Sequence, residues 1–422
     1  MHEPRPREQR LEKNLADWKS FGAVSTPGEI VDLVIGLAAV KDFQGLDVLE
    51  PACGFCNFLI PIHHRHPHNR FYGVEINQEV YRQIGQGYDP MPFRLFKQDF
   101  LLWNTKQRFD LVIGNPPYGI IGDQKHYAIG FLKNKKEIYK RQFETWRGKY
   151  NIYGAFIEKG VRLLKPGGKL ALITPGTWMV LDEFKALRKF LSRSGKSKVY
   201  YLGKKVFPGM SVSCAILVLE QGRSGVELFF HSSRGFERAL SRPGWDGGIL
   251  RFETEHTLNF EKGKTALADV FEVRISARSP ELKSFPGLLS SGNSFALPFM
   301  NGRNVQKGII LRQSFTGLWL RPEDSSRLKA FYGVLPRIVV GHTKGGVIVS
   351  ALEDQPYPYT GDVYHLIPKV RLDKKELQEI VRWLNSAEME SYMKTLYRDI
   401  TPHTTATQLK LVPLELKSPV LV

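Results

Sequence analysis

Between Ile30 and Ala38, apolar residues fall at positions 30, 31, 33, 34, 37 and 38. That spacing puts them on one helical face. Thr26, Pro27 and Glu29 stand ahead of this face in the order of a capping box, so the helix is expected to start there, with Thr26 as its cap. From Leu46 the pattern changes to short apolar runs separated by helical stretches. LDVLE (46–50), RFYGVEI (70–76), FRLFKQDF (93–100), FDLVIGN (109–115), KLALITP (169–175), KVYYLG (198–203) and SCAILVLE (213–220) read as strands. Residues 152–164 read as a helix stopped by Lys165-Pro166-Gly167-Gly168. Alternation of this kind implies an α/β fold with a mostly parallel twisted sheet covered on both faces. The rhythm weakens after the turn-rich SRPGWDGG (241–248), which fits a linker. The expected organisation is a flexible tail over 1–20, an α/β domain over 21–245 and a smaller α+β domain over 246–422.

Composition narrows the class. Of 422 residues, 42% are hydrophobic and 24% charged, ordinary globular values that exclude bulk disorder. No apolar run nears the roughly 18–20 residues a membrane helix needs. The charged N-terminus is no signal peptide, and three cysteines cannot make a disulfide framework, so a reducing cytoplasm is the expected location. The net charge of +18 suits a polyanionic partner, nucleic acid before membrane, although a merely solvated basic surface has the same signature. Its distribution favours nucleic acid. Between Phe184 and Leu219 there is no acidic residue, but Lys185, Arg188, Lys189, Arg193, Lys196, Lys198, Lys204 and Lys205 are present. Between Lys125 and Lys149, basic residues alternate with Tyr127, Phe131, Tyr139, Phe143 and Trp146, a mixture suited to phosphate contact and base stacking.

Three motifs carry chemistry. Strand 46–50 ends in Glu50 and turns through Pro51-Ala52-Cys53-Gly54-Phe55-Cys56, small residues that let a ligand approach the backbone. The next strand ends at Glu75, where such folds typically hold ribose hydroxyls; the plain alternative is a loop with an exposed glutamate. Cys53-x-x-Cys56 followed by His63, His64, His66 and His68 offers zinc ligands on paper, but lacks a second pair. A small-residue turn with solvated histidines is the better account, and no metal is expected. The most specific signal is Asn115-Pro116-Pro117-Tyr118 at the end of a buried strand. Around a planar conjugated amine, the Asn115 side-chain oxygen and the Pro116 carbonyl can each accept one hydrogen. That holds the nitrogen as it pyramidalises towards an electrophile, while Tyr118 stacks on the ring. Asn is no general base, so the proton leaves after attack.

The order EPACGF, VEI, QDF, GNPPYG and KPGG resembles that of the S-adenosylmethionine-dependent DNA adenine-N6 methyltransferases of TaqI type. The likeness extends through residues 148–168, YYLGKKVFP (200–208), RFETE (251–255), ARSPE (277–281), GRN (302–304), HTKG (342–345) and LYRD (396–399). It implies a Rossmann-like catalytic domain followed by a target recognition domain. By resemblance, Val24 and Thr26 line the methionine end of the cofactor, and Glu50 and Ala52 border its turn. Glu75 binds ribose and Ile76 one adenine face. Asp99 accepts the adenine amino group, with Phe100 beside it, Asn115 and Pro117 close by, and Phe156 as a shield. Asn115, Pro116 and Tyr118 are catalytic, and Phe207 takes the other face of the target base, unless it is a core aromatic. Two departures stand out: Gly54 is followed by Cys56 where the family often has a second glycine, and Gly209, Met210 and Ser211 follow Pro208 where the close relative carries lysines.

The resemblance implies methylation of a flipped-out adenine in duplex DNA, within TCGA, by a monomer that can have a companion endonuclease. Arg278, Arg303, His342, Lys344, Arg398 and His403 are the candidates for base reading; phosphate contact or structural ion pairing is the alternative for each. Two other functions remain open. Asn-Pro-Pro-Tyr also marks enzymes that methylate a glutamine amide in release factors or a guanine amino group in ribosomal RNA, and a degenerate fold that only binds nucleic acid is a third class.

Overall fold

In a computed structural model of the chain, the described residues are 25–39, 44–87, 91–122, 128–129, 132–148, 150–276, 288–292, 296–321, 334–341, 347–361 and 363–416. They form two compact units that divide between Arg251 and Phe252. The stretch 241–248 is no loose linker. Trp245, Ile249 and Leu250 are buried in the first unit, and the Leu250 amide donates to Met179 O at 3.0 Å.

The first unit is built on a nine-stranded sheet. Its strands are β1 Asp47–Pro51, β2 Arg70–Glu75, β3 Arg94–Lys97, β4 Phe109–Gly114, β5 Leu164–Pro175, β6 Gly195–Gly203, β7 Cys214–Gln221, β8 Val226–Ser232 and β9 Gly235–Arg242. The spatial order is β9-β8-β6-β7-β5-β4-β1-β2-β3. Most neighbours run parallel; β7 runs antiparallel to both β5 and β6, and β9 to β8. Every residue of β1 is buried, as expected of a strand covered on both faces. From β1 the chain moves outward to β2 and β3, then returns to place β4 on the other side of β1. That reversal opens a crevice at the carboxyl ends of β1 and β4.

The helices of this unit are α1 Gly28–Ala38, α2 Leu59–Arg65, α3 Gln78–Gly87, α4 Lys136–Gln142, α5 Tyr153–Arg162 and α6 Lys185–Ser194. Helix α1 buries Val31, Val34, Ile35 and Ala38. It is not capped by Thr26: its N-cap is Pro27, with no side-chain cap, so the expected capping box does not form. Thr26 is instead buried and accepts a bond from elsewhere in the chain. Lys165-Pro166-Gly167-Gly168 belongs to the irregular start of β5, where the register against β4 shifts.

The second unit carries a four-stranded antiparallel sheet. Its strands are β10 Phe271–Ile275, β11 Arg337–Val340, β12 Ser350–Glu353 and β13 Tyr364–Pro368, in the order β10-β13-β11-β12. Helices α7 Lys374–Leu384 and α8 Ala387–Tyr397 follow. Phe299, Met300, Val305, Leu320, Val339, Ala351, Tyr359 and Val363 form one of its cores.

At the amino end of the first sheet, Asp47 is nearly buried. Its carboxylate accepts from Arg70 Nε at 2.6 Å, Tyr72 OH at 3.1 Å and Lys165 Nζ at 2.6 Å; Lys165 also holds Asp110 at 2.7 Å. Burial pushes the Asp47 carboxyl up, but the bonds from Arg70 and Lys165 outweigh it and bring the group from 3.8 to about 2. A depressed folded-state value stabilises the fold above the unfolded value and is lost as pH falls through the folded one. Asp47→Asn should therefore lower the unfolding free energy near neutral pH by about 2 kcal/mol. The deficit should shrink between about pH 4 and pH 2, and urea titrations across that range measure it.

Candidate active site

The first three strands each deliver a carboxylate to the crevice. Glu50, one residue before the end of β1, is buried and accepts the amides of Phe58 at 3.3 Å and Leu59 at 3.1 Å. It caps the start of α2, and burial holds its carboxyl well above the usual range. Glu75, the last residue of β2, accepts the Gly54 amide at 2.9 Å and the Asn77 amide at 2.7 Å. The Ile76 amide bonds to it as well, and desolvation again raises its carboxyl. A carboxylate has about four lone-pair sites, and three amides use three of them. One further donor can thus bond without displacing an amide, and a second must share.

Between these acids the chain turns tightly. Ala52, Gly54 and Cys56 all lie in the left-handed region, with φ of 55°, 51° and 59°. Cys56, standing where a second glycine is usual, adopts the glycine-like conformation itself. Nothing lies within 4 Å of where a Gly54 Cβ would sit, so the turn is open above Gly54. Cys53 and Cys56 are free and buried. His63 packs edge-on against Phe71 and Phe93 at 5.4 and 5.6 Å, which corrects its reading as a solvated residue. Among the described residues, no group of three or more His, Cys, Asp or Glu is arranged to hold a metal.

Asp99 follows β3. Its Oδ1 accepts the Leu101 amide at 3.0 Å; its Oδ2 accepts from Lys135 Nζ at 2.8 Å and Tyr139 OH at 2.6 Å. Phe100 stacks on Phe156 of α5 at 5.1 Å. Lys159, one turn past Phe156, donates to Leu101 O at 3.0 Å and Trp103 O at 2.7 Å. Its ammonium lies 5.3 Å from the Phe100 ring centre, and burial brings it down to about 8 despite Asp99. Sequence reasoning missed Lys135, Tyr139 and Lys159. The available signal for Lys159 was its i+3 spacing from Phe156 on one helix face.

Asn115 follows β4 directly, and its Nδ2 donates to Thr26 Oγ1 at 3.0 Å, across 89 positions of sequence. Pro116 is buried, Pro117 half-buried. Tyr118 is buried and donates to Ile173 O at 3.2 Å. The loop's exit is fixed to the start of α5: the Gly119 amide donates to Asn151 Oδ1 at 2.9 Å, and the Ile152 amide to Gly119 O at 2.9 Å. Phe207 does lie against Tyr118, but edge-on, with ring centres 6.1 Å apart and planes at 69°. A base between two parallel rings needs about 7 Å, two stacking distances. The slot is therefore closed in this conformation. Ile76 is half-buried beside Glu75; Val24 lies outside the described residues.

The basic stretches divide differently from their sequence reading. Tyr139, Phe143 and Trp146 are buried core residues, so they offer no stacking surface; Tyr127 and Phe131 lie outside the described residues. Arg188 is buried too, donating to Trp178 O at 2.8 Å and Leu181 O at 2.7 Å, and is no phosphate contact. Lys133, Lys140, Arg141, Lys185, Lys189, Lys198 and Lys205 are exposed. In the second unit, Arg303 is exposed on a short 3-10 turn. Arg398 lies over the Phe252 ring at 4.8 Å, and the His403 carbonyl accepts from Thr401 at 2.8 Å. Arg278, His342 and Lys344 lie outside the described residues.

Fold and site together define a methyltransferase domain of the Rossmann-like class. A family model described as Eco57I restriction-modification methylase matches residues 69–207, and one described as TaqI-like C-terminal specificity domain matches residues 297–414. The chain is 42% identical over 405 residues to Type II methyltransferase M.TthHB8I of Thermus thermophilus, covering 94% of this chain and 92% of that one. The chain belongs to this family of Type II restriction-modification methyltransferases. It is also 26% identical over 185 residues to modification methylase CviBIII of Paramecium bursaria Chlorella virus NC1A, covering 43% of this chain and 45% of that one. The fold is similar to that of a nuclease-deletion mutant of the Type ISP restriction-modification enzyme LlaGI, solved with a DNA substrate mimic. The TM-score is 0.56 at 13% identity, over 94% of this chain and 54% of that longer one.

The left-handed turn yields a test independent of function. An L-residue at positive φ costs roughly 1–2 kcal/mol, so Ala52→Gly should stabilise the fold by about 1 kcal/mol, and Ala52→Val should destabilise it. Urea unfolding of both variants measures this.

Proposed function

We propose that this protein transfers a methyl group from S-adenosylmethionine to the N6 amino group of an adenine flipped out of duplex DNA, within TCGA, as the modification enzyme of a restriction-modification system. The observation that carries the reading is the placement of Asn115 at the carboxyl end of β4, with its amide nitrogen committed to Thr26. The amide oxygen is then the end the side chain can offer to an amine. The residues fit the cofactor: Glu75 is a fixed carboxylate for ribose, the turn above Gly54 is open, and Asp99 is an acceptor suited to an adenine amino group. When bound, S-adenosylmethionine supplies a methyl group on a sulfonium, ready for displacement.

Asn115 Oδ1 and the Pro116 carbonyl accept the two hydrogens of the target amine. Those bonds strengthen as the nitrogen pyramidalises, which places their value in the transition state. Bound there, S-adenosylmethionine would supply its methyl group to the nitrogen that Asn115 and Pro116 hold and depart as the neutral thioether, and the surplus proton would pass to water. Tyr118 and Phe207 take the two faces of the base once the Phe207 ring swings clear. The TCGA site rests on the likeness to TaqI-type enzymes along the second unit, with Arg303, Arg398 and His403, together with Arg278, His342 and Lys344, as proposed readers. The exposed lysines and arginines of the first unit serve the phosphates.

Incubation with labelled S-adenosylmethionine and duplex DNA, ribosomal RNA or release factor should label adenine in the DNA alone. Asn115→Ala should keep cofactor and DNA binding but slow single turnover by about 10²–10³, the scale of a lost oxyanion-hole donor; a rate within about threefold of the parent enzyme would remove Asn115 from the chemistry. Phe207→Ala should destabilise the flipped state on paired DNA by about 1–3 kcal/mol, with a smaller defect on a mispaired target, which has less unpairing to do. A fluorescent adenine analogue at the target position reads both. Unchanged flipping in a folded variant would make Phe207 a packing residue.

A further inference from the structure

Helix α4 reaches in two directions from adjacent residues. Lys135, immediately ahead of it, donates to Asp99 Oδ2 at 2.8 Å, and Tyr139 donates to the same oxygen at 2.6 Å. One turn further on, Gln142 Nε2 donates to Leu101 O at 3.1 Å. Lys136 instead donates to Ile121 O at 2.8 Å. Ile121 closes the segment that begins with Asn115-Pro116-Pro117-Tyr118. The loop after β3 and the segment after β4 are thus tied to one seven-residue helix.

Helix α5 makes a parallel tie, through Lys159 on one side and Ile152 on the other. That tie is buried. The tie through α4 is nearer the surface: the Lys135 side chain is 37% exposed, and Lys136 is half-buried. Water can replace a lysine on a carbonyl without the fold opening. The α4 tie is therefore one that can tighten or loosen in the folded protein. A surface lysine is most often only a solubilising charge. Here the charge is committed to a backbone carbonyl, while the neighbouring acid Glu137 is taken by Lys140 at 2.7 Å.

We propose that α4 is a strut through which occupancy of the adenine end of the cofactor site orders the catalytic segment, with Lys136 as its positioning residue. This rests on the cofactor reading above. An amino group bonded to Asp99 fixes that carboxylate, and with it Lys135, Tyr139 and the helix that Lys135 precedes and Tyr139 belongs to. Lys136 then holds Ile121 more firmly, so less order remains to be imposed on residues 115–122 when the target base arrives. Coupling of this kind needs no change of shape, only a shared loss of freedom, and it acts equally in both directions.

The test is hydrogen–deuterium exchange of the backbone amides of residues 118–122, with and without saturating S-adenosylhomocysteine and without DNA. In the parent protein the cofactor product should slow exchange there at least threefold. Lys136→Met should abolish the slowing while binding S-adenosylhomocysteine within about twofold of the parent affinity, and Lys136→Arg should restore it. Tyr139→Phe, which removes one of the two donors to Asp99 Oδ2 and leaves Lys135 in place, should weaken the slowing, and serves if Lys136→Met does not fold. Equal slowing in parent and variants overturns the strut, as does an absence of slowing in a parent protein that binds S-adenosylhomocysteine. Failure of the parent to bind it at all instead removes the cofactor reading, and the strut with it.

Discussion

Three acids at successive strand tips must stay in place although burial works against two of their charges. Glu50 and Glu75 lie in surroundings that penalise ionisation, and backbone amides answer that penalty: two for Glu50, three for Glu75. The arrangement determines much else. Glu50 can cap α2 only if the chain doubles back within a few residues of β1, which forces the left-handed turn at Ala52, Gly54 and Cys56. That turn presents the Gly54 amide to Glu75, so the tips of β1 and β2 are locked to each other. Asp99 extends the row, held by a cationic donor just ahead of α4 and a phenolic donor within it. A chain carrying +18 overall thereby keeps a line of acceptors at one end of its main sheet.

What was legible in the sequence was what local chemistry dictates. A buried strand followed by Asn-Pro-Pro-Tyr has few alternatives, and an acid at the end of a β run is visible as letters. The strands came through because apolar runs bounded by turns are short-range signals. The contacts that cross the fold were not legible. Nothing adjacent to Thr26 announces that its hydroxyl will meet Asn115, and the local rule for helix starts assigned it a cap it does not make. Arg188 looked like one more cation in a basic run until the fold turned it inward. Tyr139, Phe143 and Trp146 alternate with lysines in a way that suits either a nucleic-acid surface or an amphipathic core edge, and only the direction of each side chain decides. The second unit gave least, because strands of four or five residues are too short to establish a period.

The basic residues sort into two populations that composition had merged. One is structural: Arg188, Lys159 and Lys165 are donors to backbone carbonyls or acids and would cost stability if removed. The other is exposed and available for an extended anion. Only the second population belongs in a salt-dependent binding term, so the net charge overstates how many cations can meet phosphates.

The edge-on contact between Tyr118 and Phe207 has a consequence for selectivity against small molecules. On the proposed reading, the enzyme's own phenyl ring competes for the pocket that the target base must enter. A free nucleoside has only its stacking energy with which to evict that ring. A base carried on a duplex brings many phosphate contacts made elsewhere on the protein, and those can drive the exchange. On that proposal the closed slot would act as a threshold on total binding energy: the same amine would be ignored when it arrives alone and accepted when it arrives on a polymer.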